Sequence, residues 1–290
     1  MNKQESKIGR VAIHGLGLMG GSLALALRAQ GVFVAGYARR PETRAAALER
    51  GIVDACFDGP AEAAAEADIV VLCTPVMTIP ELARTIAPAL KPGAIITDVG
   101  STKAWLHKVI DHPAFVGSHP MCGSERTGLE ASCADLYQDA VTVVTCPADP
   151  NEAADVSHAE TIATFWESIG SRVIRLTPHA HDELVARTSH LPHLAASLLV
   201  AAVNRERHPH LGDLMGSGYE STTRLAEGSA DVWHDIVKTN APAVRAELTA
   251  FRDELDRLLQ QIDQGLDTGD FDAVRDFLDC QAKTRLCQRT

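Results

Sequence analysis

The chain has no Cys-x-x-Cys pair among its 7 cysteines, no excess of basic residues and no apolar run long enough to span a bilayer. Each absence removes a class of protein. An odd cysteine count without close pairing excludes a disulfide framework and a zinc ribbon, so the thiols are expected to be reduced. With 27 Lys and Arg against 38 Asp and Glu, the formal net charge of -11 repels phosphate backbones and supplies no basic stripe, which argues against nucleic-acid binding. The start, Met1-Asn2-Lys3-Gln4-Glu5-Ser6-Lys7, is polar and lacks the apolar core of a secretory signal, so no membrane association and a cytoplasmic location are expected. What remains is an ordinary globular composition in 290 residues, enough for two domains with proper cores.

Val11-Ala12-Ile13-His14 reads as an apolar strand that runs into Gly15-Leu16-Gly17-Leu18-Met19-Gly20-Gly21-Ser22 and then into a helix through Leu23 and Leu27. In a strand-turn-helix context this G-x-G-x-x-G pattern predicts a dinucleotide site formed by Gly15, Leu16, Gly17, Leu18, Met19 and Gly20. Gly15 allows the tight turn, Gly17 lets backbone approach the pyrophosphate, and Gly20 lets the helix pack close to the strand. The second strand, Val32 to Tyr37, lacks the terminal acidic residue that bonds the adenosine ribose and rejects a 2'-phosphate. Arg39 and Arg40 follow instead, and two guanidinium groups suit a 2'-phosphate, so NADP is expected to be preferred over NAD. A solvated loop is the plain alternative for this pair.

The strand-helix rhythm continues through Asp54 to Phe57, Ile69 to Pro75 and Ala94 to Gly100, the pattern of a doubly wound, mostly parallel sheet. Thr74 and Pro75, and likewise Ser101, follow strand ends and are expected to border the cofactor crevice; Ser101 is equally suited to capping the helix after it. Val141 to Thr145 and Val173 to Leu176 are expected to extend the same sheet. After Thr177-Pro178 the strand patterning stops, which predicts a Rossmann-like domain over 1–177 and an all-helical domain for substrate binding and dimerisation over 178–290. In the second, Pro192 should disturb a helix carrying His190 and His193 and aim both imidazoles into one cleft. His179 and His181 lie nearby, but cysteine and carboxylate partners at familiar ligand spacing are missing, so no metal is expected. Leu248, Phe251, Leu255, Leu258 and Ile262 form a seam at alternating spacings of three and four, which predicts a homodimer through the C-terminal helices.

Phe115-Val116-Gly117-Ser118-His119-Pro120-Met121-Cys122-Gly123-Ser124-Glu125 ends an apolar strand with a histidine between small and rigid residues. Ligands of open parallel sheets bind outside such carboxyl ends, so His119 is the candidate proton carrier, with a loop-capping histidine as the bland alternative.

Together with Asp98-Val99-Gly100-Ser101-Thr102-Lys103, Ser189-His190-Leu191-Pro192-His193 and Thr223-Arg224-Leu225-Ala226 followed by Trp233, these segments resemble the prephenate and arogenate dehydrogenase family over nearly the whole chain. The resemblance implies oxidative decarboxylation of prephenate or arogenate with NAD(P). It also implies roles: His119 accepts the ring hydroxyl proton, Ser101 orients it, Arg224 holds a substrate carboxylate, and His193, His190 and Glu125 lie on the substrate side. The chain departs from the pattern three positions before the arginine, where Ser221 replaces a common acidic residue and Glu220 stands beside it, which leaves the choice between the two substrates open. The glycine loop also resembles β-hydroxyacid dehydrogenases. Those use a lysine on the interdomain helix, and none lies between Pro178 and Asn204. A cofactor-bound protein without catalysis is the remaining alternative.

Overall fold

Alternation along a strand sends successive side chains to opposite faces, and β1 (Arg10–His14) shows the consequence at the centre of the fold. Val11 and Ile13 pack with Leu23 and Leu27 of the helix Leu18–Ala29, and with Phe165 and Trp166, on one face. Ala12 packs with Val70, Leu72, Ile79 and Ile96 on the other. Both faces are therefore covered, as a parallel sheet requires. The computed structural model describes residues 8–123, 126–146 and 153–288. Glu125, expected on the substrate side, lies outside them.

With β2 (Phe33–Tyr37), β3 (Ala55–Cys56), β4 (Ile69–Leu72), β5 (Ile95–Asp98) and β6 (Phe115–Val116), β1 forms a six-stranded parallel sheet in the order β3-β2-β1-β4-β5-β6. The order reverses between β1 and β4, so their carboxyl ends open a crevice beside Gly15 and Cys73.

The strands expected to extend this sheet do not. β7 (Ser118–Pro120), β8 (Val141–Thr145) and β9 (Arg172–Leu176) form a separate sheet, with β7 antiparallel to β8 and β8 parallel to β9. The switch occurs at Gly117. A Cβ there would come within 2.8 Å of Thr145 Oγ1 and 3.0 Å of Lys103 Cδ, so only glycine passes between the two sheets. His119 thus sits within a strand of the second sheet and not in a loop beyond the first.

No strand follows Leu176 among the described residues. The helix Pro178–Val185 leads into a π-helical turn, Ala186–His190, and then into the helix Leu191–Val203. The distortion lies before Pro192, which occupies the first turn of the following helix, where it removes no needed donor. By compactness the chain divides into Met1–Ala241 and Pro242–Thr290. In the second unit Phe251 and Leu255 of the predicted seam are exposed, as are Leu259, Leu266 and Leu278, whereas Leu248, Leu258 and Ile262 are half-buried. No helix among the described residues is long and apolar enough to cross a membrane.

His14, at the end of β1, is fully buried, and neither ring nitrogen has a hydrogen-bond partner. Burial pushes its pKa down from 6.5 to about 3, so the folded chain holds it neutral. Below the unfolded value of 6.5 only the unfolded chain takes the proton, so stability falls as pH drops from there toward 3. By pH 5 the loss is about 2 kcal/mol. His14→Leu is expected to remove this component, measured as a smaller fall in urea midpoint between neutral pH and pH 5; an unchanged fall would contradict it.

Candidate active site

Two groups of residues meet the expectations for a site. The first is a cleft of about 600 Å³ lined by Gly15, Leu16, Gly17, Tyr37, Arg39, Arg40, Thr74 and Pro75. Its glycines divide by what surrounds them. Gly15 has φ +104°, and a Cβ would lie 2.3 Å from the Cys73 carbonyl oxygen; a Cβ on Gly20 would lie 1.9 Å from the Gly15 carbonyl oxygen. A Cβ on Gly17 would meet nothing within 4 Å among the described residues, so this side of its backbone is open to a ligand. Gly17 is also the N-cap of the helix Leu18–Ala29, whose first turn has neither a side-chain cap nor an acidic residue. Open N–H groups at the positive end of a helix dipole suit a pyrophosphate. The residues present therefore fit a dinucleotide.

Leu18, Met19 and Gly20 belong to that helix and not to the cleft lining. Their environment is the segment after β7: Tyr137 donates its hydroxyl to the Met19 carbonyl at 2.8 Å, and Cys133 N donates to Ser22 Oγ at 3.0 Å. Leu16 is buried and supports the turn from beneath. Ser101 does not line this cleft.

The second group surrounds His119, which is partly exposed. Its Nδ1 lies 2.9 Å from Nε2 of the fully buried His181, whose Nδ1 lies 2.7 Å from Asp182 Oδ1. Asp182 is fixed further: Oδ1 accepts from Lys103 N at 2.8 Å, Oδ2 from Ala104 N at 2.9 Å, and its carbonyl from Asn240 Nδ2 at 2.8 Å. It thereby caps the start of the helix Ala104–Val109, the position for which Ser101 was the local candidate. No hydrogen bond joins Ser101 to His119 among the described residues. Thr102 Oγ1 meets Thr239 Oγ1 at 2.8 Å, a second tie between this loop and the helices.

Beneath the histidine lies a buried ion pair between Lys103 Nζ and Asp98 Oδ2, both side chains fully inaccessible. Asp98 also accepts from Gly100 N at 2.8 Å and from Ser118 N at 3.1 Å, and Ser118 Oγ donates to the Asp98 carbonyl at 2.6 Å. Trp166 Nε1 donates to Ser118 Oγ at 3.0 Å. The residue before His119 is thus held from three directions. Burial lowers the His119 pKa well below 6.5, and the charges of His181, Lys103 and His190 add to the shift. Burial likewise lowers His181, opposed by its bond to Asp182, and brings His190 to about 4.

His190 and His193 do share one cluster, organised by Trp233. His193 stacks on the indole with centroids 3.5 Å apart and planes at 10°, and His190 meets its edge at 5.9 Å. Gly228 makes room for this stack, since a Cβ would lie 2.7 Å from Trp233 Nε1 and 2.9 Å from His193 Cε1. Burial lowers the His193 pKa, opposed by the Leu225 backbone. Arg224 opens the short helix Arg224–Glu227 that carries Leu225, and its side chain is exposed. His190 Nδ1 lies 3.4 Å from Asn240 Nδ2, and Asn240 reaches the Asp182 carbonyl, so both histidine groups hang on one scaffold.

His181, Asp182, Asp98 and Lys103 were not singled out by sequence as parts of a proton-transfer site; His181 was weighed only as a metal ligand, and Asp98 to Lys103 only as a segment carrying the family resemblance. Their burial is the signal, and burial made by contacts distant in sequence has no local pattern.

Comparison with known proteins places the chain in a family. Residues 23–175 match the family model for the prephenate dehydrogenase nucleotide-binding domain, and residues 177–278 match that for the prephenate dehydrogenase dimerization domain. The chain is 34% identical to cyclohexadienyl dehydrogenase of Zymomonas mobilis, covering 97% of this chain and 96% of that one. Among solved structures it resembles prephenate dehydrogenase of A. aeolicus in complex with hydroxyphenyl propionate and NAD+, with a TM-score of 0.86, 28% identity and coverage of 97% and 100%. It also resembles Synechocystis arogenate dehydrogenase, with a TM-score of 0.79, 28% identity and coverage of 95% and 99%. With both family models matched in order along one Rossmann-like and helical chain, the protein belongs to the prephenate dehydrogenase family of oxidoreductases.

Proposed function

We propose that the chain catalyses the oxidative decarboxylation of prephenate or arogenate with NADP as the preferred cofactor, and that His119 takes the proton of the ring hydroxyl. The observation that carries this reading is a partly exposed imidazole, neutral at physiological pH, held by a buried partner at one nitrogen. A general base must be unprotonated before the reaction and within reach of the substrate, and His119 meets both conditions.

A nicotinamide held in the cleft would supply the acceptor for the hydride of the carbinol carbon. The residues of the chain perform the rest. His119 removes the hydroxyl proton as the carbonyl forms, and carbon dioxide leaves the opposite ring carbon as the ring becomes aromatic. Ser101, two residues before Lys103, is assigned by family resemblance to orient His119 and substrate. Arg224 is exposed and is followed by Leu225, whose backbone bonds His193, and its two-pronged guanidinium suits a substrate carboxylate. His193 and His190 line the substrate side, with Glu125 assigned there by family resemblance.

Gly15, Leu16 and Gly17, with the helix start at Leu18, Met19 and Gly20, hold the cofactor phosphates, and Thr74 and Pro75 border the opposite side. Arg39 and Arg40 line the adenosine end of the cleft, where no acidic residue ends β2, and this supports NADP. Residues 178–290 form the substrate and dimerisation part. A homodimer through the C-terminal helices accounts for the exposed apolar side chains of Phe251, Leu255 and Leu259.

The test is cofactor reduction by purified protein with prephenate and with arogenate, each with NADP and NAD. Turnover with at least one substrate and a higher kcat/KM with NADP is expected. No turnover with either substrate would refute the assignment, and an NAD preference would remove Arg39 and Arg40 from phosphate recognition.

A further inference from the structure

Which nitrogen of His119 accepts the proton follows from a chain of hydrogen bonds that begins at a carboxylate. Asp182 Oδ1, 2.7 Å from His181 Nδ1, can only accept, so His181 Nδ1 carries hydrogen. A neutral imidazole has one N–H, so His181 Nε2 is the acceptor. It lies 2.9 Å from His119 Nδ1, which must donate. The single hydrogen of neutral His119 is therefore on Nδ1, and its lone pair is on Nε2. We propose that His181 and Asp182 are positioning residues that fix the tautomer of His119 and leave Nε2 as the proton-accepting atom. This rests on the reading of His119 as the base for the ring hydroxyl.

Asp182 is suited to the task because it cannot turn. Lys103 N and Ala104 N hold both of its oxygens, and Asn240 holds its carbonyl, so the oxygen facing His181 is fixed by the start of a helix. Both imidazoles are kept neutral by burial and by the nearby Lys103 ammonium, with Asp182 and Asp98 opposing the shift at His181. The arrangement also provides for the charge formed in the reaction. When Nε2 takes the hydroxyl proton, Nδ1–H can pass to His181 Nε2, leaving His119 neutral and the positive charge on His181 against the Asp182 carboxylate. The count balances: the substrate loses one proton to the histidine pair and one hydride to the cofactor.

Nitrogen-15 NMR of histidine-labelled wild-type protein reads the tautomer directly, with the His119 signals identified by their absence from His119→Asn. A protonated Nδ1 and bare Nε2 are expected, and a protonated Nε2 or an equal mixture would overturn the proposal without reference to turnover. In His181→Leu the acceptor for the His119 Nδ1–H is lost, so nothing in the chain holds the hydrogen on Nδ1. That variant should show His119 with hydrogen shifted onto Nε2, and kcat lower by about 100- to 1000-fold with both KM values within about threefold of wild type. An unchanged kcat in folded His181→Leu would overturn the proposal. The wild-type spectrum decides the matter if the variant does not fold. Failure of the functional reading is distinct, since it appears as wild-type protein that turns over neither substrate whatever its tautomer.

Discussion

His119→Asn is expected to lower kcat by about two to four powers of ten while leaving the Kd of the cofactor within about twofold. The size follows from what asparagine keeps and loses. Its amide can still donate toward His181 Nε2, so the buried pair is not left unsatisfied, but no atom at the position of the imidazole Nε2 can accept a proton. General base catalysis is removed with little structural penalty. The cofactor cleft is built from Gly15, Gly17, Arg39 and Thr74, none of which bonds His119, so the two sites separate in the measurement. Single-turnover formation of reduced cofactor at saturating substrate reports the chemical step, and equilibrium titration reports cofactor affinity. A fall of less than tenfold in the chemical step would mean that His119 is not the base.

The parts legible in the sequence and the parts that were not differ in the range of the interactions that build them. Gly15, Gly17 and Gly20 act within one turn of chain, and their differing demands, a positive φ, an open face and a close approach, all follow from the local pattern. The parallel sheet was equally readable because each apolar strand announces itself. The change of sheet at Gly117 was not. β6 and β7 are only two and three residues long, and a single glycine between them looks like a continuing strand until Thr145 and Lys103 are seen to crowd it. Asp182 was missed for the same reason on a larger scale: it caps a helix 79 residues earlier in the chain. Ser101 was the better local candidate for that cap, and a short-range rule must prefer it. His190 and His193 both pack against Trp233, but the distortion in their helix lies in the π-helical turn before Pro192, which no residue type signals.

The ion pair under the site sets the second large effect. Lys103→Met is expected to destabilise the fold by about 3–5 kcal/mol, because it leaves the Asp98 carboxylate buried with no compensating charge. The pair is fully inaccessible, and burial alone pushes the Asp98 pKa up and the Lys103 pKa down, each opposed by the partner's charge. Remove the lysine and burial still pushes upward, opposed only by the N–H bonds of Gly100 and Ser118. The variant then gains relief by protonating Asp98: with its folded pKa above the unfolded one, the folded chain binds the proton more readily, and stability relative to wild type rises as pH falls toward the unfolded value. Urea unfolding at pH 8 and at pH 5.5 is expected to show a smaller gap from wild type at the lower pH. The double variant Asp98→Asn with Lys103→Met should be less destabilised than the sum of the singles, since neither buried charge is then unpaired. Additive losses, or a gap independent of pH, would mean that the pair is not a coupled charge pair in the folded protein. Because Asp98 also holds Ser118 N, the residue before His119, Lys103→Met should lower kcat even where the fold persists, whereas loss of stability alone would leave the kcat of the folded fraction unchanged.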